Sequence, residues 1–225
     1  SVTRAFSERG WRGISIEPHP FYYAHLLERR PLDINLCTAV GDSVGMLTMN
    51  FVGATGLSTA DDQIAARHVA AGHALNRAQV ELTTLAKLWK EHVAHGQTVH
   101  FLKVDVEGFE TAVLAGNDWV ANRPWIVVVE ATLPNSRTES HGEWEGALLK
   151  AGYEHVYSDG LNRFYVADEH RELSDAFKYP PNIFDDFVPA QLIDLQRRTT
   201  HAEGELAEWQ RRTAHTEGEL AEWRR

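Results

Sequence analysis

The 225-residue chain is 43% hydrophobic and carries 22 Lys+Arg against 32 Asp+Glu, a net charge of −10. That composition supports a packed core and excludes a chain disordered throughout, while the acidic balance disfavours duplex binding, which depends on phosphate neutralisation. The longest apolar runs, such as residues 125–129, fall far short of the roughly 20 residues of a membrane span. Residues 1–6 show no basic stretch leading into an apolar one, and the single cysteine, Cys37, can form no internal disulfide. A cytoplasmic protein is therefore expected.

The first residues, with Val2, Phe6 and Arg9-Gly10, read as the last turns of a helix stopped by glycine. Residues 13–17 form a short apolar run closed by Glu17 and Pro18, the pattern of a buried strand. Pro20 opens a helix through Arg30, and Pro31 ends it. Residues 34–40 read as one strand stopped at Gly41-Asp42. Residues 46–52 can extend as a strand, and residues 53–59 read as a flexible loop. A polar, alanine-rich segment to about Asn76 reads as a partly helical excursion of the kind that covers a site.

Regular alternation then resumes. A short strand at 80–82 precedes a helix from Thr83/Thr84 through Lys90. Residues 99–105 form a strand followed by a helix around 109–114, and the almost wholly apolar run 125–130 suits a strand central in a covered sheet. A helix at 144–151 leads to two strands, 153–157 and 163–166, joined by a turn-rich hairpin loop. The fold class expected is α/β, a mostly parallel Rossmann-like sheet with a C-terminal antiparallel hairpin, followed by a long helix.

The character changes after Pro180-Pro181. Residues 191–225 contain no proline, and the stretch 197–210 recurs almost unchanged 14 residues later as 211–224. Fourteen residues are two heptads, and Leu192, Leu195, Ala202, Leu206, Trp209, Leu220 and Trp223 fall on 3-4 spacing, a seam for a partner helix. Thr199, Thr213 and Thr216 interrupt it, and Gly204 and Gly218 each cost about 1 kcal/mol against alanine. The alternative is a solvated amphipathic helix packed on its own domain. Burial of recurring Trp and Leu favours the coiled coil, hence a homo-oligomer or larger assembly. The expected division is 1–187 for the sheet domain and 188–225 for the coiled-coil segment.

In α/β sheets, ligands bind beyond the carboxyl ends of the strands. Glu17, Asp105 with Glu107, and Glu130 occupy that position, and Asp42 lies one step past a strand end. Any one of them could merely cap a helix. Glu17 has the placement of an acid that accepts two hydrogen bonds from a ribose diol, and Asp42 that of a partner for an adenine amino group. Lys103, Asp105 and Glu107 have period-2 spacing, so an extended backbone points them the same way, with the lysine holding both carboxylates ionised.

Residues 1–187 carry the motifs Phe101-Leu-Lys-Val-Asp-Val-Glu-Gly-Phe-Glu110, Gly10-Trp-Arg-Gly-Ile-Ser-Ile-Glu-Pro-His-Pro20, Ala39-Val-Gly-Asp42, Gly56-Leu-Ser-Thr59, Val80-Glu-Leu-Thr-Thr-Leu85 and Val113-Leu-Ala-Gly116. In these motifs and their order the chain resembles the FkbM family of S-adenosylmethionine-dependent methyltransferases. The resemblance implies a Rossmann-like sheet binding S-adenosyl-L-methionine, with Glu17 and Pro18 at the ribose, Asp42 near the adenine, and Asp105 and Glu107 facing methyl donor and acceptor. The family's first strand and glycine-rich loop find no counterpart here, so the chain is expected to lack that segment. The tail lies outside the resemblance.

The expected activity is O-methylation of a hydroxyl on a glycan, glycolipid or secondary metabolite, and the architecture suits a module of a larger polysaccharide-modifying protein. The alternative is an inactive methyltransferase-fold scaffold that drives oligomerisation. A hydroxyl needs a base or a metal at the acceptor. Asp105 is the first candidate base, Glu107 the second and Glu130 a partner. Together these three could hold a magnesium-type divalent ion. The alternative is that Glu107 and Glu110 only bond backbone groups at the helix start. Lys103, Tyr157, Asn162 and Arg163 are candidates for the acceptor pocket. The 12 histidines form no zinc pattern, and His100 is expected in the core. No nucleophile elbow or phosphate loop is present.

Overall fold

The computed structural model describes residues 3–53, 55–185 and 188–223, and the chain divides into two units, Ser1–Lys178 and Tyr179–Arg225. Val2, Ala54 and Phe187 lie outside the described residues, as do the side chains of Thr216, Leu220 and Trp223.

In the first unit, α1 (Arg4–Glu8) stops at Gly10, whose φ of +89° suits only glycine at little cost. β1 (Ile14–Ile16) leads into α2 (Pro20–Arg29), where Pro20 fills the first turn and the His19 ring accepts a hydrogen bond from the Phe21 amide. The expected single strand over 34–40 is two. β2 (Ile34–Leu36) runs parallel to β1, and β3 (Ala39–Gly41) pairs instead with β5 (Leu75–Thr84). The break comes where the chain changes partners: the Thr38 hydroxyl donates to the Glu81 carbonyl at 2.8 Å, fastening the crossing to β5.

β4 (Gly45–Val52) lies antiparallel to β5, from Gly45↔Leu82 to Val52↔Leu75. The strand expected at 80–82 is therefore ten residues long. Its first half is polar and largely exposed, held by the ladder with β4 rather than by burial, so apolar content gives no hint of it. Between β4 and β5 rises α3 (Asp62–Ala70), capped by the Asp61 carboxylate, so the helical part of the excursion ends before Asn76. α4 (Leu85–His92) begins at Thr84, whose hydroxyl accepts from the Lys87 amide.

The last sheet has the order β6 (Phe101–Val104), β7 (Ile126–Glu130), β9 (Asn162–Ala167), β8 (Tyr153–Ser158). β6 and β7 are parallel, and both contacts of β9 are antiparallel. Register puts Val104, Val127, Val129, Tyr165 and Ala167 on one face. There they form the core with Leu88 of α4, Val113 and Leu114 of α5 (Glu110–Ala115), and Leu148 of α6 (Glu145–Lys150). The other face carries Lys103, Val128, Glu130, Asn162, Phe164 and Tyr157. Further along it, Phe6 packs on Phe101 with ring centroids 4.7 Å apart.

α5 abuts β3 so closely that a Cβ on Gly116 would stand 2.0 Å from the Gly41 carbonyl oxygen. Arg123 fastens the start of β7, bonding Glu169 through two nitrogens and donating to the Ala151 carbonyl at 2.6 Å and the Trp119 carbonyl at 3.0 Å. His100, expected in the core, is exposed; it precedes β6 and its ring lies edge-on to Trp11 and Trp125. The second unit is built on α7 (Ala190–Trp223), 34 continuous residues. No described helix is long and apolar enough to cross a membrane.

Candidate active site

β6 and β7 are parallel neighbours, so their carboxyl ends deliver Asp105 and Glu130 to the same rim. The loop after β6 then turns sharply. Glu107 has φ +53° and Gly108 φ +99°, and a left-handed backbone at a glutamate costs of order 1 kcal/mol or more. Two contacts hold it. The Glu110 carboxylate accepts the amides of Val106 and Gly108, each at 3.2 Å, and the buried Thr59 hydroxyl donates to the Glu107 carbonyl at 2.7 Å. In this geometry Asp105, Glu107 and Glu130 each offer an oxygen, and all three lie within 4.8 Å of one another.

The two glutamates of the loop thus have different tasks. Glu110 bonds the backbone of the helix start, as the plainer reading had it. Glu107 does not: one of its carboxylate oxygens is buried without a hydrogen-bond partner. Glu130, only 7% exposed, also buries an oxygen without a partner. Burial, then the charges of Asp105 and Glu110, pushes the Glu107 carboxyl up to about 7, with Lys103 pulling the other way. Burial, then the adjoining Asp105 and the Glu107 charge, pushes Glu130 up to about 8.

The one cation facing this cluster that sequence spacing identified is Lys103, whose ammonium lies 3.1 Å from Asp105. It also donates to the Asn162 side-chain carbonyl at 2.6 Å, and the Asn162 amide donates in turn to Asp159 at 3.0 Å. Lys103 and Asn162 therefore belong to the cluster, and Asn162 aims the lysine. Tyr157 shares their face, its ring against Phe164 at 5.5 Å. Arg163 does not join them. It points to the opposite face, where it bonds Glu145 at 2.8 Å and the Tyr165 hydroxyl at 3.1 Å.

Glu17 follows β1 and is half-buried, its carboxyl pushed up by burial while one oxygen accepts the His19 amide at 2.8 Å. The Pro18 carbonyl faces the exposed Cys37 thiol at 4.0 Å. Asp42 is exposed, one residue past β3, and accepts from the Ser43 hydroxyl. It is set beside the acid loop because Phe109 packs on Gly41 and Gly116 abuts it.

The excursion supplies residues that spacing did not single out. Asp62, Asn50 and Arg77 form a bonded triangle tying α3 to the β4–β5 hairpin, and Ile64 packs against Gly108. One turn further, buried His68 lines a cavity of about 170 Å3 with Ile64, Arg67, His73 and Asn135. The Gly56–Thr59 motif was visible, but only the fold shows that Thr59 reaches a residue 48 positions away.

A profile of the Methyltransferase FkbM domain matches residues 1–155. The chain belongs to this family. The matched segment of the FkbM domain includes β1 with Glu17, β3 with Asp42, and the β6 and β7 ends that carry the acid cluster; it stops within β8. No curated protein and no solved structure was found to match the chain. Methyl transfer is thus the chemistry of the family, and the acids at the strand ends are its candidate machinery here.

Proposed function

We propose that this domain transfers a methyl group from S-adenosyl-L-methionine to a hydroxyl of a glycan, glycolipid or other secondary metabolite, in the cytoplasm. The observation that carries the reading is the pair Glu107 and Glu130, two carboxyls with buried, unpartnered oxygens at the ends of adjacent parallel strands. A carboxyl raised to about 7 or 8 is a far better proton acceptor near neutral pH than an ordinary glutamate.

In the proposed reaction the acceptor oxygen attacks the methyl carbon in line with the carbon–sulfur bond. The new carbon–oxygen bond forms as that bond breaks, the sulfonium becomes a neutral thioether, and the hydroxyl proton passes to the acid cluster. Alignment supplies the largest share of the acceleration. Glu17 and Pro18 take the ribose side, Asp42 the adenine side, and Asp105 the boundary between donor and acceptor. Lys103 and Asn162 hold Asp105 in place, and Tyr157 lies on the acceptor side. Arg163, committed to Glu145 on the far face, has no part in it.

A second occupant of the cluster is favoured by the three oxygens within 4.8 Å: a magnesium-type ion held by Asp105, Glu107 and Glu130. It would polarise the acceptor hydroxyl. Loss of methyl transfer in EDTA, restored by magnesium, would select it over the proton-accepting pair.

The test is calorimetric titration of S-adenosyl-L-methionine into the protein. Saturable binding is expected, weakened roughly 10- to 100-fold by Glu17→Ala if the carboxylate holds the ribose diol. No heat from the unaltered protein would instead favour an inactive scaffold.

A further inference from the structure

Among its described side chains, α7 exposes its apolar stripe: Leu192, Leu195, Leu206 and Trp209 are each more than half exposed. Written as heptads from Leu192, the a positions are Leu192, Thr199, Leu206, Thr213 and Leu220, and the d positions are Leu195, Ala202, Trp209, Thr216 and Trp223. Gly204 and Gly218 then fall at the outermost f position; Gly204 has nothing within 4 Å of the place a Cβ would take. Two glycines and several threonines leave a single helix of this kind short of stability in water, so something must cover the stripe.

The flanking charges say what does. In a parallel, in-register pair, each g residue meets the e residue five positions on in the other chain. Here Arg198 meets Glu203, Arg212 meets Glu217 and Glu219 meets Arg224, while Gln191–Gln196 and Glu205–Gln210 are neutral or singly charged. No like-charge contact arises. A slip of one heptad ruins this, setting Glu205 against Glu217 and Arg212 against Arg224 in one direction, and Glu205 against Glu203 and Glu219 against Glu217 in the other. The e and g positions are thus written to reject neighbouring registers of the same sequence. Every a and d layer also meets its own kind, so leucine covers leucine and the small threonines coincide.

We propose that the partner of α7 is α7 of a second copy of this chain, in a parallel, in-register two-stranded coiled coil. The pairing is a property of the tail's own sequence and holds whether or not the first unit transfers methyl groups. One consequence is that the two first units leave the coil at the same end.

The experiment uses the full chain with Cys37→Ser, which removes its only cysteine. Light scattering is expected to give twice the 25.4 kDa chain mass. Leu192→Cys, at the first a position, is expected to cross-link quantitatively under mild oxidation. An antiparallel pair would hold the two thiols on the order of 45 Å apart, at 1.5 Å per residue of helix. Arg198→Glu with Arg212→Glu is expected to weaken the dimer roughly 100-fold, and adding Glu203→Arg and Glu217→Arg to restore it. A monomer, a mass other than two chains, a dimer that fails to cross-link at 192, or no rescue by the compensating pair would each overturn the proposal.

Discussion

Replacing Glu130 with glutamine tests the acid cluster through stability as well as activity. Glu130 is 7% exposed and its carboxyl is pushed from 4.5 up to about 8. At about 1.36 kcal/mol per pH unit, that places roughly 5 kcal/mol on the ionised form. Asp105 and Glu107 share that charge repulsion, so we assign about 3 kcal/mol to Glu130 itself. The sign follows from proton counting. Between 4.5 and about 8 the folded protein holds a proton that the unfolded chain has lost, so stability is full below 4.5 and falls as pH rises through 8. Glu130→Gln keeps the shape and removes the titration. In EDTA, the variant should match the parent at about pH 5 and exceed it by about 3 kcal/mol at about pH 9, or roughly 6–12 °C in Tm for a unit of this size. Urea unfolding across that range is the assay. The same variant should lose about 10²- to 10⁴-fold in kcat for methyl transfer. Unfolding curves that stay parallel from pH 5 to 9 would refute the buried, uncharged glutamate.

Lys103→Met removes the cation that lowers the Glu107 carboxyl, so the acid limb of the pH–rate profile should move to higher pH; an unmoved limb would separate Lys103 from the cluster. Gly116→Ala puts a Cβ 2.0 Å from the Gly41 carbonyl, and Gly108→Ala puts one 2.3 Å from an Ile64 methyl at φ +99°. The first should cost about 3 kcal/mol or more by denaturant titration, because backbone must move. The second should cost about 1–3 kcal/mol but reduce activity further than stability, since it displaces Glu107. Arg123→Ala takes a donor from Glu169 and from three carbonyls, and should destabilise by about 2–4 kcal/mol in chemical denaturation while the pH–rate profile stays put.

Most of the first unit was legible because apolar periodicity and capping residues act locally. Pro20, Thr84 and the run 126–130 declare themselves without knowing their neighbours. The misread segments are those whose structure depends on partners. Residues 34–40 look like one strand, yet Thr38 is pulled toward Glu81 and the chain changes sheets. Residues 75–79 are strand only because β4 lies beside them. The same division holds at the site. Asp105 and Glu130 follow from strand ends, and Lys103 from its spacing. That Glu107 and Glu110 take opposite tasks depends on a left-handed turn that no periodicity encodes, and Arg163 was misplaced because one residue of register moves a side chain to the other face.

The bond from Thr59 to the Glu107 carbonyl, together with Ile64 against Gly108, has a consequence for how this protein can vary. The excursion between β4 and β5 is, beside the Glu110 carboxylate, a mechanical support of the least relaxed backbone at the site. A substitution there that shifts α3 alters the burial of the Glu107 carboxyl without touching any acid. On the proposed reading, proton affinity at the centre is therefore tunable from the insertion, so the segment that looks most open to change would also set the strength of the proposed base.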